Sequence, residues 1–371
     1  MRKKLKKVLF AVPTNTSGGA ERVLTTLANE FVAQGYKVVF VNYDCDSMFY
    51  PLDHRIKLVK MNIGFGNAKG ICKLIKVPFV EIRRYCAVKK CLKSERPDAV
   101  VAFLKTSEIL FGVASIRLKI PFITSLRNDI SVYSGSLKLF RKLAYPRIRA
   151  VVCQTMQVKK GLDSTINCNS VVIPNPLAPE AVSAKNYIGI ARSKKVISVG
   201  RLHSQKNFML FIDAVELLLL DHPEYRSYSF LIFGEGPMRK ELSLEIKKKK
   251  LGRNVVLCGE VENALASNND ASLYVMPSNY EGFPNALVEA MANGIPSIST
   301  NFPSGAARQL IGKNERGWLI PVGDKEKLAR TMHYVLSNPN NADQKASNAV
   351  KFTSAFRRSE VAQKWIELIE D

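Results

Sequence analysis

A chain of 371 residues with 46% hydrophobic content is long enough to bury the cores of two domains, so we expect a folded protein. Its most apolar helical stretch, residues 210–220, contains Asp213 and Glu216 and falls far short of the ~20 residues of a membrane span, so no transmembrane helix is predicted. Seven cysteines without close pairs favour free thiols in a reducing cytosol. The basic start of the chain is followed by an apolar run that is too short for a secretion signal.

The formal net charge of +23 lies almost entirely in the first half of the chain. Residues 1–190 hold 31 Lys and Arg against 12 Asp and Glu, a net +19, whereas residues 191–371 hold 24 against 20, a net +4. Within the first half, residues 67–93 and 134–150 interleave cations with aliphatic and aromatic residues. Such stretches are typical of helices that bind an anionic membrane surface, although a solvated face or phosphate contacts with nucleic acid would also fit. Because the apolar residues can insert into lipid, we expect a membrane surface and no nucleic acid as the partner.

Short apolar runs alternate with longer helical patterns along the whole chain, which is typical of βα units on a parallel sheet. Strands are predicted at residues 7–13, 37–43, 56–60, 98–104, 121–126, 150–154 and 170–173, then at 195–200, 229–234, 254–259, 272–276, 297–300 and 318–321. Between residues 174 and 192 the alternation stops, and prolines and small residues predominate, which predicts a linker. A last helix is predicted at 359–370. The predicted divisions are a domain at 1–178, a second at 179–354 and a terminal segment at 355–371.

Two glycine-containing turns follow predicted strands. Gly18 and Gly19 follow the first strand and open a helix, so bare backbone N–H groups there can approach a phosphate or a sugar, although a plain tight turn is the alternative. Residues 233–238 begin like a dinucleotide fingerprint, but Arg239 stands where the third glycine belongs. We therefore expect a strand-to-helix turn near a nucleotide and no NAD site.

Two cations, Arg201 and Lys206, follow the first strand of the second half. Together they can neutralise a diphosphate and the charge that develops as a sugar leaves it. Two solvated loop cations are the alternative.

Two carboxylates, Glu281 and Glu289, lie eight residues apart around a predicted helix start. Pro284 suits the first position of that helix and Gly294 a left-handed cap at its end. The free N–H groups of Asn285, Ala286 and Leu287 would then favour an anion at the strand's carboxyl end. Carboxylates accept hydrogen bonds from neighbouring hydroxyls, so a sugar or ribose diol is the expected ligand beside a phosphate, unless both side chains are simply solvated.

The run Glu-Gly-Phe-Pro-Asn-Ala-Leu-Val-Glu-Ala-Met-Ala-Asn-Gly-Ile-Pro at 281–296 closely resembles the signature of the family-four retaining glycosyltransferases. Residues 199–207 and 17–21 resemble the other two landmarks of that family, in the expected order. The resemblance implies an α/β chain of two facing Rossmann-like domains, the GT-B arrangement, with a C-terminal helix that returns to the first, acceptor-side domain. It also implies a nucleotide-sugar donor bound by the second domain.

The resemblance implies a donor site and a catalytic set. The donor-binding residues are expected to be Gly18, Gly19, Arg201, Lys206, Glu281, Gly282, Phe283, Pro284, Asn285, Ala286 and Glu289. The catalytic residues are expected to be Glu281, Arg201, Lys206 and Asn128. No metal and no cofactor is expected, since the Arg/Lys pair takes the place of a metal in this fold, and the Asp-x-Asp of Asp44 and Asp46 is too short a motif to weigh against it.

The first domain departs from the family pattern. Many members carry a histidine after the strand where this chain reads Ser125-Leu126-Arg127-Asn128-Asp129. Arg127 or Asn128 would then touch the transferred sugar, while Asp129 would cap the next helix.

The function expected from these features is retaining transfer of a hexose or N-acetylhexosamine from a nucleotide sugar, most simply a UDP-sugar, to a lipid-linked glycan. Residues 303–308 resemble a loop of members that build bacterial surface polysaccharides such as O-antigen or capsule. We expect a cytoplasmic protein, peripheral on the inner face of the cytoplasmic membrane. A non-catalytic binder of membrane or acidic polymer on the same fold, or a nucleotide-sugar epimerase, is the alternative.

Overall fold

The computed structural model describes residues 7–13, 18–42, 49–61, 63, 70–127, 135–183, 188–189 and 191–370. The chain divides into two compact units, Met1–Pro176 with Arg358–Asp371, and Leu177–Arg357. Each unit is built on one parallel sheet with helices on both of its faces. The α/β fold class predicted from the alternating pattern is therefore confirmed.

The first unit contains seven strands in the order β3-β2-β1-β4-β5-β6-β7. In chain order its elements are β1 Lys7–Val12, α1 Gly19–Ala33, β2 Lys37–Asn42, β3 Lys57–Lys60, α2 Gly70–Glu95, β4 Ala99–Phe103, α3 Lys105–Leu118, β5 Phe122–Leu126, α4 Gly135–Ala144, β6 Ala150–Cys153, α5 Met156–Asp163 and β7 Ser170–Val172. Alternate residues of β1 enter two different cores, Phe10 on one face and Leu9 on the other. Burial on both faces explains why these strands read as continuous apolar runs.

The second unit contains six strands in the order β10-β9-β8-β11-β12-β13. Its elements are β8 Ser193–Val199, α6 Phe208–Asp221, β9 Ser229–Phe233, α7 Arg239–Lys248, β10 Val255–Gly259, α8 Ala264–Ser267, β11 Ala271–Met276, α9 Asn285–Ala292, β12 Ser297–Thr300, α10 Ala306–Ile311, β13 Trp318–Ile320, α11 Lys325–Ser337 and α12 Pro339–Thr353. All thirteen predicted strands are confirmed, with bounds within two residues of those expected. The strand order reverses between β8 and β11, and open α/β sheets bind ligands outside the carboxyl ends of strands at such a point.

A last helix, α13 Arg358–Glu370, belongs to the first unit although it follows the second in the chain. Trp365 is 2% exposed and its ring centroid lies 5.7 Å from that of Phe103 in β4. Arg358 pairs with Glu30 of α1 at 3.2 Å. The predicted return of the C-terminal helix is thus confirmed. In the described part of the chain, no helix is both long and apolar enough to span a bilayer.

Candidate active site

Two loops at the carboxyl edge of the second sheet, after β8 and after β11, are hydrogen-bonded to each other. The N–H of Asn279 donates to the carbonyl of Gln205 at 2.8 Å, and its side-chain amide donates to the carbonyl of Ser204 at 3.0 Å. Asn207, the N-cap of α6, donates to Asn279 Oδ1 at 2.9 Å. Because β8 and β11 are neighbours, residues 75 positions apart in the sequence are fixed in one place.

Glu281 and Lys206 meet at this junction. Lys206 Nζ lies 2.6 Å from Glu281 Oε1, and the Glu281 side chain is only 9% exposed. Ser278 Oγ also donates to Oε1 at 2.8 Å, and Gln205 Nε2 donates to Oε2 at 3.2 Å. A carboxylate with so little access to water needs these donors, and they hold it in one orientation. The structure thus brings together a cation and a carboxylate that the sequence assigns to separate tasks.

Arg201 differs from Lys206 in its surroundings. Its side chain is exposed, and no described acidic residue forms an ion pair with it. An incoming diphosphate would therefore meet one open cation, Arg201, and one that is already balanced by Glu281. The neighbouring His203 caps the short 3₁₀ helix Ser204–Lys206, with Nδ1 accepting from the N–H of Gln205 at 3.3 Å.

The glycine-rich turn between β9 and α7 supports the loop that carries Arg201. A Cβ on Gly234 would lie 2.0 Å from the carbonyl oxygen of Gly200, and one on Gly236 would lie 2.5 Å from that of Leu202. The N–H of Leu202 donates to the Glu235 carbonyl at 2.8 Å. These glycines allow two backbones to touch. The turn is a strand-to-helix connection as expected. It contacts the loop after β8 and also the end of β10, where the N–H of Gly234 donates to the Gly259 carbonyl at 2.7 Å.

The start of α9 differs from the prediction. Pro284 is the N-cap of α9 and not its first residue, because the helix begins at Asn285. The N–H of Asn285 already donates to the Phe283 carbonyl at 3.1 Å, and that of Leu287 donates to the Pro284 carbonyl at 3.0 Å. The tight turn before the helix thus uses two of the three N–H groups predicted to be free, and an anion bound there would have to displace those bonds.

The other end of α9 is as predicted. Gly294 has a φ of +67°, and the N–H of Ile295 donates to the Ala290 carbonyl at 3.0 Å. The chain takes a left-handed backbone conformation at this position to end the helix. Glycine is favoured there because it adopts that conformation without strain.

A buried tyrosine that the sequence does not reveal lies close to both carboxylates. Tyr274 of β11 is fully buried, and its hydroxyl has no hydrogen-bond partner among the described residues. Burial first, and then the negative charges of Glu281 and Glu289, raise the pKa of Tyr274 well above its usual value. Glu289 itself is half-buried in α9. A phenolic hydroxyl on a mostly apolar central strand is the signal that would have pointed to Tyr274.

The glycine loop of the first unit is already filled by an acidic side chain. Gly18 is the N-cap of α1, and a Cβ there would lie 2.2 Å from Glu21 Oε2. Glu21 is 7% exposed, so its carboxylate is folded against the start of its own helix, where negative charge is favoured. Gly19 is exposed in the first turn of α1. The bare backbone that the sequence predicts at Gly18 is therefore partly covered.

Arg127 lies at the carboxyl end of β5. Its guanidinium stacks over the Phe103 ring at 3.8 Å, and Nη1 donates to Asn175 Oδ1 at 2.5 Å. Gln154 donates to the same Asn175 oxygen at 2.5 Å. This network positions Arg127 at the edge where the sequence expects the first-domain group. The other candidate, Asn128, lies outside the described residues.

Asp44 and Asp46 of the Asp-x-Asp motif, and Asp129, also lie outside the described part of the chain.

Two described cations of the predicted membrane-binding stretches are internal: Arg84 of α2, which is 5% exposed and pairs with Glu81 at 2.8 Å, and Arg141 of α4. Arg141 of α4 is 4% exposed and forms two hydrogen bonds of 2.8 Å to the carboxylate of Glu108. The Tyr145 hydroxyl donates to the same carboxylate at 2.6 Å. The assignment of Arg141 to a lipid-facing surface is wrong, because its charge is neutralised inside the first unit. Lys138 and Lys142 on the same helix are exposed.

Comparison with known proteins places both units in known families. Residues 17–181 match the Glycosyltransferase Family 4 model, and residues 185–352 match the model for Glycosyl transferases group 1. A Campylobacter jejuni protein named GalNAc-α-(1→4)-GalNAc-α-(1→3)-diNAcBac-PP-undecaprenol α-1,4-N-acetyl-D-galactosaminyltransferase is 28% identical over 371 residues, 98% of each chain. The amylovoran biosynthesis glycosyltransferase AmsD of Erwinia amylovora is 22% identical over 96% of this chain and 97% of its own.

Solved structures with the same fold include Anabaena Alr3699/HepE in complex with UDP, with a TM-score of 0.75 at 17% identity over 98% of this chain and 99% of that one. Sucrose-phosphate synthase from Thermosynechococcus elongatus gives a TM-score of 0.78 at 17% identity, with 98% of each chain covered. At these identities the likeness concerns the fold, which is GT-B as the sequence predicts.

Proposed function

This chain belongs to the family-four glycosyltransferases of GT-B fold, and we propose that it transfers a hexose or an N-acetylhexosamine, with retention, from a UDP-sugar to a lipid-linked glycan. The observation that carries the proposal is the Lys206–Glu281 ion pair, with the exposed Arg201 in the same loop as Lys206, at the point where the strand order of the second sheet reverses. Lys206, Glu281 and Arg201 all suit one purpose, the binding of a diphosphate and its sugar.

The proposed chemistry breaks the bond between the anomeric carbon and the diphosphate oxygen and forms a bond from that carbon to an acceptor hydroxyl oxygen. Both bonds lie on the same face of the sugar, so the configuration is retained, and the hydroxyl proton passes to the departing diphosphate. Negative charge grows on the diphosphate as the bond breaks, and Arg201 and Lys206 stabilise it. Glu281 orients Lys206, and Glu289 accepts hydrogen bonds from the ribose diol. Asn128, Gly18 and Gly19 remain proposed contacts from the first unit.

A lipid-linked acceptor is supported by the full-length relative from Campylobacter jejuni, whose name describes an undecaprenol-diphosphate saccharide. UDP is supported as the donor nucleotide by the fold neighbour solved with UDP, although that likeness is one of fold. We extend both to this chain as parts of the proposal, together with a role in surface polysaccharide synthesis.

A position on the cytoplasmic face of the membrane is proposed from the surface of the first unit. Leu139 and Leu143 of α4 are 60% and 56% exposed, and they alternate with the exposed cations Lys138 and Lys142. Phe79 and Ile82 of α2 are likewise exposed. Exposed apolar side chains beside cations suit the boundary between lipid headgroups and acyl chains.

The test is a donor screen with undecaprenyl-diphosphate saccharides as acceptors, analysed by mass. The proposal expects a product heavier by one hexose or one N-acetylhexosamine, formed only when acceptor is present. Conversion of the nucleotide sugar without acceptor would indicate an epimerase, and no conversion of any donor would indicate a binding protein.

A further inference from the structure

Two histidines and a glutamate cluster at the edge of the second sheet opposite to the candidate active site. Helix α6 begins next to the loop that carries Lys206, and its 14 residues span ~20 Å at 1.5 Å per residue. His222 caps its far end, and a 3₁₀ helix, Pro223–Ser227, then leads to the amino end of β9. The cluster is therefore separate from the diphosphate site.

The side chains of His222, Glu224 and His333 converge. The two imidazole rings are stacked, with centroids 3.6 Å apart and an angle of 6° between their planes. His222 Nδ1 lies 3.4 Å from Glu224 Oε1, and one ligand atom from each of the three residues lies within 4.8 Å of the other two. Glu224 is 60% exposed, so its carboxylate is free to adjust its position, whereas His333 is held on α11.

A hydrogen bond from Tyr225 orients His333. The Tyr225 hydroxyl lies 3.1 Å from His333 Nδ1 and donates to the His333 carbonyl at 3.4 Å. In the tautomer with the ring proton on Nδ1, that nitrogen donates to the Tyr225 oxygen and the lone pair of the ring is on Nε2. A histidine that donates one ring N–H to an outer partner and presents the other nitrogen is the usual arrangement of a metal ligand.

We propose that His222, His333 and Glu224 bind one divalent transition-metal ion, with Zn²⁺ the best match to two imidazoles and a carboxylate. Water would complete the coordination, as expected for a site at the surface. Binding requires the rings to tilt out of their stack. The ion would join the end of α6 to α11 and stabilise the second unit without taking part in sugar transfer.

The test is titration of the whole protein, first treated with chelator, with ZnCl₂ by calorimetry, and with CoCl₂ by visible absorption. We expect one saturable site, a rise in melting temperature with Zn²⁺, and progressive loss of binding as the pH falls from about 7.5 to 5.5, because protons compete for the imidazoles. His222→Ala is expected to abolish the site, and Glu224→Gln, which replaces a ligand carboxylate by an amide, to weaken it by about tenfold or more, at least as much as the loss of an outer partner of a ligand.

The matched control is His54→Ala. His54 also lies beside a carboxylate, 3.6 Å from Asp53, but it is 91% exposed and has no second histidine beside it among the described residues. Its removal should leave Zn²⁺ binding unchanged. The proposal is overturned if the wild type takes up no stoichiometric metal, or if His222→Ala and Glu224→Gln bind it as tightly as His54→Ala does.

Discussion

At the scale of single residues, the two roles proposed for the Lys206–Glu281 pair, stabilising the fold and stabilising the departing diphosphate, can be separated by substitution. Lys206→Met leaves Glu281 almost buried without its cation, which we expect to cost about 2 kcal/mol of unfolding free energy, below the 3–5 kcal/mol typical of fully buried pairs because Lys206 is 21% exposed. Turnover should fall about a hundredfold or more, as when one donor to a developing anion is lost. Urea unfolding and kcat/KM measure the two effects.

The double variant Lys206→Met/Glu281→Gln separates the effect on stability from the effect on turnover. It leaves no unpaired buried charge, so stability should return towards that of the wild type while activity stays low. Recovery of activity together with stability would mean that the pair is only structural.

Arg141 and Lys142 are adjacent in sequence but should respond very differently to replacement by serine. Arg141→Ser leaves Glu108 buried without its partner and should cost about 3–5 kcal/mol. Lys142→Ser alters an exposed side chain and should stay within about 0.5 kcal/mol. Thermal unfolding of the two variants gives the comparison, and equal melting temperatures would contradict the buried ion pair.

Sequence patterns could not reveal either pair. The basic run around α4 shows charge, but which cation turns inward depends on Glu108, 33 residues earlier in the chain. Likewise, Glu281 and Lys206 are joined only because β8 and β11 are neighbours. Residue type and order suggested candidate groups, and the three-dimensional contacts decided their partners.

At the scale of elements, the turn between β9 and α7 should tolerate no side chain at Gly234. Its φ of +136° is unfavourable for other residues and a Cβ would overlap the Gly200 carbonyl, so Gly234→Ala should cost about 2–3 kcal/mol. Gly252→Ala is the control, since nothing lies within 4 Å of a Cβ there. Because the turn supports the loop of Arg201, Gly234→Ala should also raise the KM for donor. A neutral effect on both quantities would contradict this role.

Helix α4 offers a test of membrane docking that spares the core. Leu139→Ser/Leu143→Ser should reduce salt-resistant binding to anionic vesicles, while Lys138→Ser/Lys142→Ser should reduce the salt-sensitive part, at ~1 kcal/mol per cation. Sedimentation at low and high salt measures both. If both variants pelleted with anionic vesicles as fully as the wild type, or if the wild type bound neutral vesicles as tightly as anionic ones, the docking surface would be refuted.

At the scale of the whole molecule, the sequence predicted the fold well because strands buried on both faces read as unbroken apolar runs. The start of α9 was less predictable, since Pro284 fits the first helical position by type but the local turn makes it the cap. For the candidate site, the sequence supplied a set of candidate residues and the structure supplied the contacts among those it describes. Tyr274 was hidden because its ring belongs to the apolar strand and only its hydroxyl is polar.

The most direct test of the central claim is acceptor-dependent sugar transfer in excess EDTA by the wild type and by Arg201→Met, with product identified by mass. Arg201 is exposed, so the variant should unfold at the wild-type temperature. The wild type should keep its rate in EDTA, since the proposal assigns to Arg201 and Lys206 the positive charge that a metal would otherwise provide, and Arg201→Met should lose about a hundredfold. A wild type that forms no glycan product with any donor, or an Arg201→Met variant as fast as the wild type, would contradict the account.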